Sequence, residues 1–215
     1  MGLNELNEVC NVERDEFIVA KRCGKVAVNY KKCPKCGSKN SIKIIYGMPS
    51  YKLFQEGEAG KVKLGGCCII EGSPEYHCKD CNNEWNREQV IDAAYGQIKG
   101  LKASVGGYFG GYYHVSIDLK NLKTTWMFKE GASEESSTKS IRNKTAEEFI
   151  KCLKEIDLLN WKAKYIEPGV CDGTQWSIEI ITDERTVKKY GNNKFPEEWK
   201  QFCKMIKRIT GKEFR

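Results

Sequence analysis

Two cysteine pairs constrain this chain more than anything else in it. They are Cys33-Pro34-Lys35-Cys36-Gly37 and Cys78-Lys79-Asp80-Cys81-Asn82. Two thiolates three residues apart can grip one ion from a single tight turn. Glycine after the second cysteine permits the left-handed backbone that closes the turn, and asparagine is the residue next most tolerant of it. Four thiolates suit tetrahedral Zn2+ with no open position, so Cys33, Cys36, Cys78 and Cys81 are the candidate ligands of one structural ion. A single C-x-x-C would leave a redox role open; two argue against it. The 41-residue spacer between the pairs is about twice the usual gap, so it must fold beside the metal.

Eleven cysteines in 215 residues is a high and odd count. A secreted disulfide framework is normally even and shorter. The start, Met1-Gly2-Leu3-Asn4-Glu5-Leu6, has neither the basic nor the apolar stretch of a signal peptide. No apolar run approaches the roughly 20 residues of a spanning helix. The expectation is a cytoplasmic protein with reduced thiols and no membrane partner. Cys10, Cys23, Cys152, Cys171 and Cys203 stand singly and read as small core residues. Cys67 and Cys68 are adjacent. They offer an alternative ligand or a reactive thiol, but Gly65-Gly66 before them and Ile69-Ile70 after them favour packing at a strand edge.

Residues 1–30 read as an N-terminal arm, with a short helix bearing Leu3, Leu6 and Val9 and strands at 17–20 and 25–30. Within 31–85, strands are expected at 41–46, 61–64 and 67–71, with a turn at Gly47-Met48-Pro49-Ser50 and a brief helix after Tyr51. In 86–215 the pattern gives a helix over 86–99, strands near 112–119 and 123–129, and a polar loop at 131–140. A helix begins near Thr145, where Thr145 and Glu148 have capping-box spacing, with Phe149, Ile150, Leu153 and Ile156 as its buried stripe. Strands follow near 174–182 and 185–190. A last helix starts at Pro196 with Glu197 and Glu198 in its first turn, burying Trp199, Phe202, Ile206 and Ile209.

The second half matches itself at an offset of 50. Thr124 and Trp126 align with Thr174 and Trp176, Asn143-Lys144 with Asn193-Lys194, Glu147-Glu148 with Glu197-Glu198. Comparing 115–160 with 165–210 gives ten identities, where chance gives roughly three. The expected fold is α+β: a four-cysteine zinc ribbon, then an antiparallel sheet with a duplicated ββα unit and both helices on one face.

The segment 31–85 resembles zinc-ribbon modules. More narrowly, it resembles uncharacterised bacterial zinc-ribbon proteins that join C-P-x-C-G to Tyr-Gly-x-Pro, Gly-Gly-Cys and a second C-x-x-C. Those elements are Cys33 to Gly37, Tyr46 to Pro49, Gly65 to Cys67 and Cys78 to Cys81. The resemblance implies a structural metal and no particular activity. The wider use of zinc ribbons in nucleic-acid processing raises that partner class.

The formal net charge is +7, of which the last 30 residues carry +6. Lys200, Lys204, Lys207 and Arg208 fall outside the apolar stripe of the last helix and are the candidate nucleic-acid contacts. The bland alternative is a solvated helix face. His77 beside Cys78 offers a replacement ligand, and His114 follows Tyr112-Tyr113; neither has the partners of a catalytic triad. The glycine and aromatic run Gly106 to Tyr113 has no dinucleotide-loop or P-loop spacing and reads as a bent strand. Asp172-Gly173 reads as a turn. The residues point to a zinc-binding, non-enzymatic binding or adaptor protein, with nucleic acid as the first partner class. A protein partner, or a cysteine-dependent enzyme using Cys67 or Cys68, are the alternatives.

Overall fold

The computed structural model describes residues 28–107, 110–169 and 173–215. The arm with its expected helix and strand at 17–20, most of the strand expected at 25–30, and Cys10, Cys23, Cys171 and Asp172 lie outside the described residues.

A small mixed sheet forms first. β1 (Ser41–Ile45) leads to helix α1 (Tyr51–Glu58), then to β2 (Val62–Leu64), β3 (Tyr76–Cys78) and β4 (Glu84–Trp85). The order is β2-β1-β3-β4, with β2 parallel to β1 and the rest antiparallel. Tyr76 and Trp85 are buried and stacked at 5.9 Å, and the Trp85 indole donates to Tyr30 O at 2.9 Å. The strand expected at 67–71 is a loop.

Helix α2 (Arg87–Gly96) opens on a capping box in which Asn86 and Gln89 satisfy each other's backbone amides. The chain then enters β5 (Ile98–Gly107), β6 (Gly111–Asp118), β7 (Lys123–Glu130) and β8 (Ser133–Ser140), helix α3 (Asn143–Glu155), a 3-10 turn at Leu158–Asn160, β9 (Lys164–Ile166), β10 (Gln175–Thr182), β11 (Thr186–Asn192) and helix α4 (Trp199–Thr210). These seven strands form one sheet in the order β8-β7-β6-β5-β10-β11-β9.

One face of that sheet is apolar. Leu101, Ala103 and Val105 of β5, Val115 and Ile117 of β6, Trp126 of β7 and Trp176, Ile178 and Ile180 of β10 are buried against Phe149 and Leu153 of α3 and Phe202, Ile206 and Ile209 of α4. The alternating residues on the other face are mostly polar, Met127 and Ile181 being exceptions, and an antiparallel sheet tolerates one wet face. Both edges are blunted: β8 carries serines, glutamates and a lysine, and β9 has three residues.

Further sequence expectations need correction. The 131–140 segment is the edge strand β8, not a loop; its side chains are nearly all exposed, so no apolar alternation marks it. No strand is expected over 100–105, yet β5 runs through it in the middle of the sheet, with Leu101, Ala103 and Val105 alternating with Lys102 and Ser104. The Thr145 capping box does not form: α3 begins at Asn143, and its N-cap, Arg142, makes no side-chain cap. Likewise α4 begins at Trp199, so Pro196 and Glu197 precede it and Glu198 is its N-cap.

Strand, strand, helix does occur twice, as β7-β8-α3 and β10-β11-α4. The offset-50 pairs do not, however, occupy matching places. Trp126 pairs across its hairpin with Ser137, whereas Trp176 pairs with Gly191 rather than residue 187. Glu147 and Glu148 lie inside α3, but Glu197 and Glu198 lie before the residues of α4. Lys139 is exposed, while Lys189 is buried.

Candidate metal centre

The four candidate cysteines sit on two turns of the same design. In the first, Gly37 N donates to Cys33 O (2.9 Å) and Cys33 N donates to Ser38 O (2.8 Å). In the second, Asn82 N donates to Cys78 O (3.0 Å) and Cys78 N donates to Asn83 O (2.8 Å). The closing residues Gly37 and Asn82 are both left-handed, at φ 73° and 56°, which is what the sequence positions required. The first turn precedes β1 and the second joins β3 to β4. The antiparallel register that pairs Ser41 with Cys78 brings the two turns together.

All four Sγ atoms lie within 4.8 Å of one another. Cys33 and Cys81 are 3.6 Å apart, as are Cys36 and Cys78. Four sulfurs at about 2.3 Å from one tetrahedral Zn2+ would be separated by about 3.8 Å, so the donor set fits such an ion and the two 3.6 Å pairs are close to that spacing. Cys33 and Cys78 are buried, Cys81 half-buried and Cys36 exposed.

The thiols are held in unequal states. Burial alone would push the Cys33 thiol up, but amide hydrogen bonds from Cys36 and Lys35 and contacts with the Cys81 and Cys36 thiols outweigh it and bring it down to about 7. The Ser38 amide favours the Cys36 thiolate, yet the Cys81, Cys78 and Cys33 sulfurs together with burial push it up to about 12. Four thiols this close resist sharing negative charge, and a dication relieves that repulsion.

A second layer fixes the turns to each other. Asp80, inside the second turn, accepts hydrogen bonds from Ser38 Oγ and from Asn40 Nδ2 (2.6 Å) beyond the first. Those bonds hold its carboxyl below the usual carboxylate range. Lys79 N donates to Asn40 O at 2.9 Å. Nothing in the sequence pattern marked Asp80; its role follows from the register of β1 on β3.

His77 is not a ligand here. The strand alternation that buries Cys78 turns His77 toward Lys63 and Glu84, with Nδ1 3.3 Å from Glu84 Oε1. His114 lies exposed on the polar face of the large sheet, stacked on Tyr112 at 6.3 Å.

No protein-family model and no curated protein matches this chain. The site therefore stands on its own geometry: four cysteines that can bind a metal ion.

Cys67 and Cys68 do not pack at a strand edge; both are exposed on the loop after β2. Cys152 and Cys203 are half-buried, and burial pushes the Cys203 thiol up to about 12. The candidate contacts Lys200, Lys204, Lys207 and Arg208 are all exposed on α4, as their spacing required. Two of them are engaged: Lys207 pairs with Glu213, and Arg208 lies 3.7 Å from Glu148. Among the described residues no helix is long and apolar enough to cross a membrane.

Proposed function

We propose that this chain is a non-enzymatic binding protein. Segment 31–85 is a zinc ribbon stapled by one structural Zn2+ on Cys33, Cys36, Cys78 and Cys81, and the body 86–215 presents the partner surface. The four-sulfur cluster carries this reading: an ion held by four protein sulfurs has no open position for substrate or water. The first partner class is nucleic acid, met by the solvent side of α4. Lys200 and Lys204 stand exposed there in the most basic part of the chain. The exposed pairs of Lys207 and Arg208 are weak enough for phosphate to compete with their carboxylates. Such contacts give affinity without sequence preference.

Two measurements test this. Protein never exposed to chelator should carry one equivalent of zinc, and Cys33→Ser should lose it. The triple change Lys200→Gln, Lys204→Gln, Lys207→Gln should weaken binding to a labelled oligonucleotide of any sequence and flatten its salt dependence. No binding by the parent at low salt would remove nucleic acid and leave a protein partner. That second reading has its own observation: Met48, Tyr51 and Phe54 around the start of α1 are exposed apolar side chains.

A further inference from the structure

The loop after β2 carries a thiol pair that the four-cysteine cluster does not use. Cys67 and Cys68 are both exposed, and their Sγ atoms are 3.6 Å apart. The backbone that presents them is clamped. Gly65 N donates to Ile45 O and Gly47 N donates to Gly66 O, each at 2.8 Å. The Tyr46 ring fills the space beside Gly65, where an added Cβ would stand 2.6 Å from it. Tyr46 Oη then donates to Pro74 O at 2.9 Å, at the far end of the loop. Tyr46-Gly47 and Gly65-Gly66 are thus two halves of one clamp, and its product is a fixed stem under two exposed thiols.

Their separation equals that of the paired sulfurs in the metal cluster, so the two can share one bound atom. Among the described residues, no third cysteine, histidine or carboxylate joins them in a metal-holding group. A tetrahedral zinc site needs four donors. A two-sulfur site suits a thiophilic centre whose remaining valence is filled by a group from outside the protein. Ile69 and Ile70, 70% and 75% exposed, continue the loop and offer apolar surface to such a group.

We infer that Cys67 and Cys68 form a second sulfur site, separate from the four-cysteine cluster, that takes a trivalent metalloid of the arsenic(III) class as a two-sulfur chelate. With an organoarsenous oxide, two As–S bonds form and the As–O bonding is broken. The two thiol protons leave with that oxygen as one water. Arsenic stays trivalent, so no oxidant or reductant is needed.

The probe is phenylarsine oxide, added to the zinc-loaded full chain so that the cluster sulfurs are already engaged. Intact mass should show one arsenical per chain, with two iodoacetamide-reactive thiols lost and zinc retained. A small dithiol should reverse the adduct where the same concentration of a monothiol does not. Cys67→Ser and Cys68→Ser, both at exposed positions, should each weaken binding on the order of a hundredfold, because the chelate becomes a single bond. An adduct that persists in the double variant, that expels zinc, or that fails to form although both thiols alkylate, overturns the inference.

Discussion

Asp80 and Lys189 show how much a single side chain can decide in this molecule. Asp80 is exposed, yet it ties the second cysteine turn to the first through Ser38 and Asn40. Outer partners of this kind tune metal affinity by about 10–100-fold. Asp80→Ala should therefore release the proposed metal to a competing chelator at about tenfold lower chelator concentration, with the fold intact by circular dichroism. Lys189 is a buried lysine whose ammonium donates to Leu159 O (3.0 Å) and Trp161 O (2.5 Å), closing the 3-10 turn after α3. Burial pulls it down to about 8 from 10.5, against an upward pull from Asp157. The unfolded chain binds its proton more tightly than the folded one. The penalty is thus complete below about pH 8 and fades as pH rises toward the unfolded value. Relative to Lys189→Met, the parent should gain stability across that window, on the order of 2 kcal/mol after allowing for partial hydration of the ammonium. Denaturant melts of both proteins at pH 7, 8, 9 and 10 measure the difference; a flat difference would mean that the ammonium is well solvated.

Among the elements, the helix starts separate what local sequence dictates from what the sheet imposes. The Asn86 cap is real, and Asn86→Ala should cost about 1 kcal/mol. Thr145 has the right spacing for a cap but lies inside α3, so Thr145→Ala should stay within about 0.5 kcal/mol. Arg142 holds the N-cap position in an extended conformation, φ −86° and ψ 155°, without a side-chain bond. Arg142→Ser should stabilise by about 0.5–1 kcal/mol, read as an increase in the urea midpoint. The same contrast explains what was legible beforehand. The cysteine turns could be read because thiol spacing and the left-handed closing residue are local facts. The stripes of α3 and α4 could be read because their period is regular. Strand β8 could not, since an edge strand exposed on both faces needs no apolar residue. Strand β5 is marked by Leu101, Ala103 and Val105, but the helical spacing of Val90, Ala93, Ala94 and Ile98 carries the expected helix to residue 99, across the start of the strand. Asp80 and Lys189 depend on register and on distant packing, which no residue pattern encodes.

At the scale of the whole molecule, the cluster and the large sheet share one apolar interior: Cys33, Cys78, Tyr76 and Trp85 belong to the same buried cluster as Leu101 and Phe202. Metal binding in such modules is folding energy. Stripping the proposed metal should first raise amide hydrogen exchange across 41–85, while β5, β6 and β10 stay protected; loss of protection in all of them at once would mean that the two sheets unfold as a unit. The pairing at the middle of the large sheet has a further consequence, one of timing. β5 pairs with β6, the next strand in sequence, but its other neighbour is β10, with Ala103 opposite Ile178. As the chain leaves the ribosome, β5 to β8 can zip together early. The inner edge of β5 then waits, unpaired and backed by Leu101 and Val105, until the residues of β10 arrive. For that interval a strand that ends at the centre of the sheet is an open, adhesive edge, and the slowest step of folding is expected at this seam.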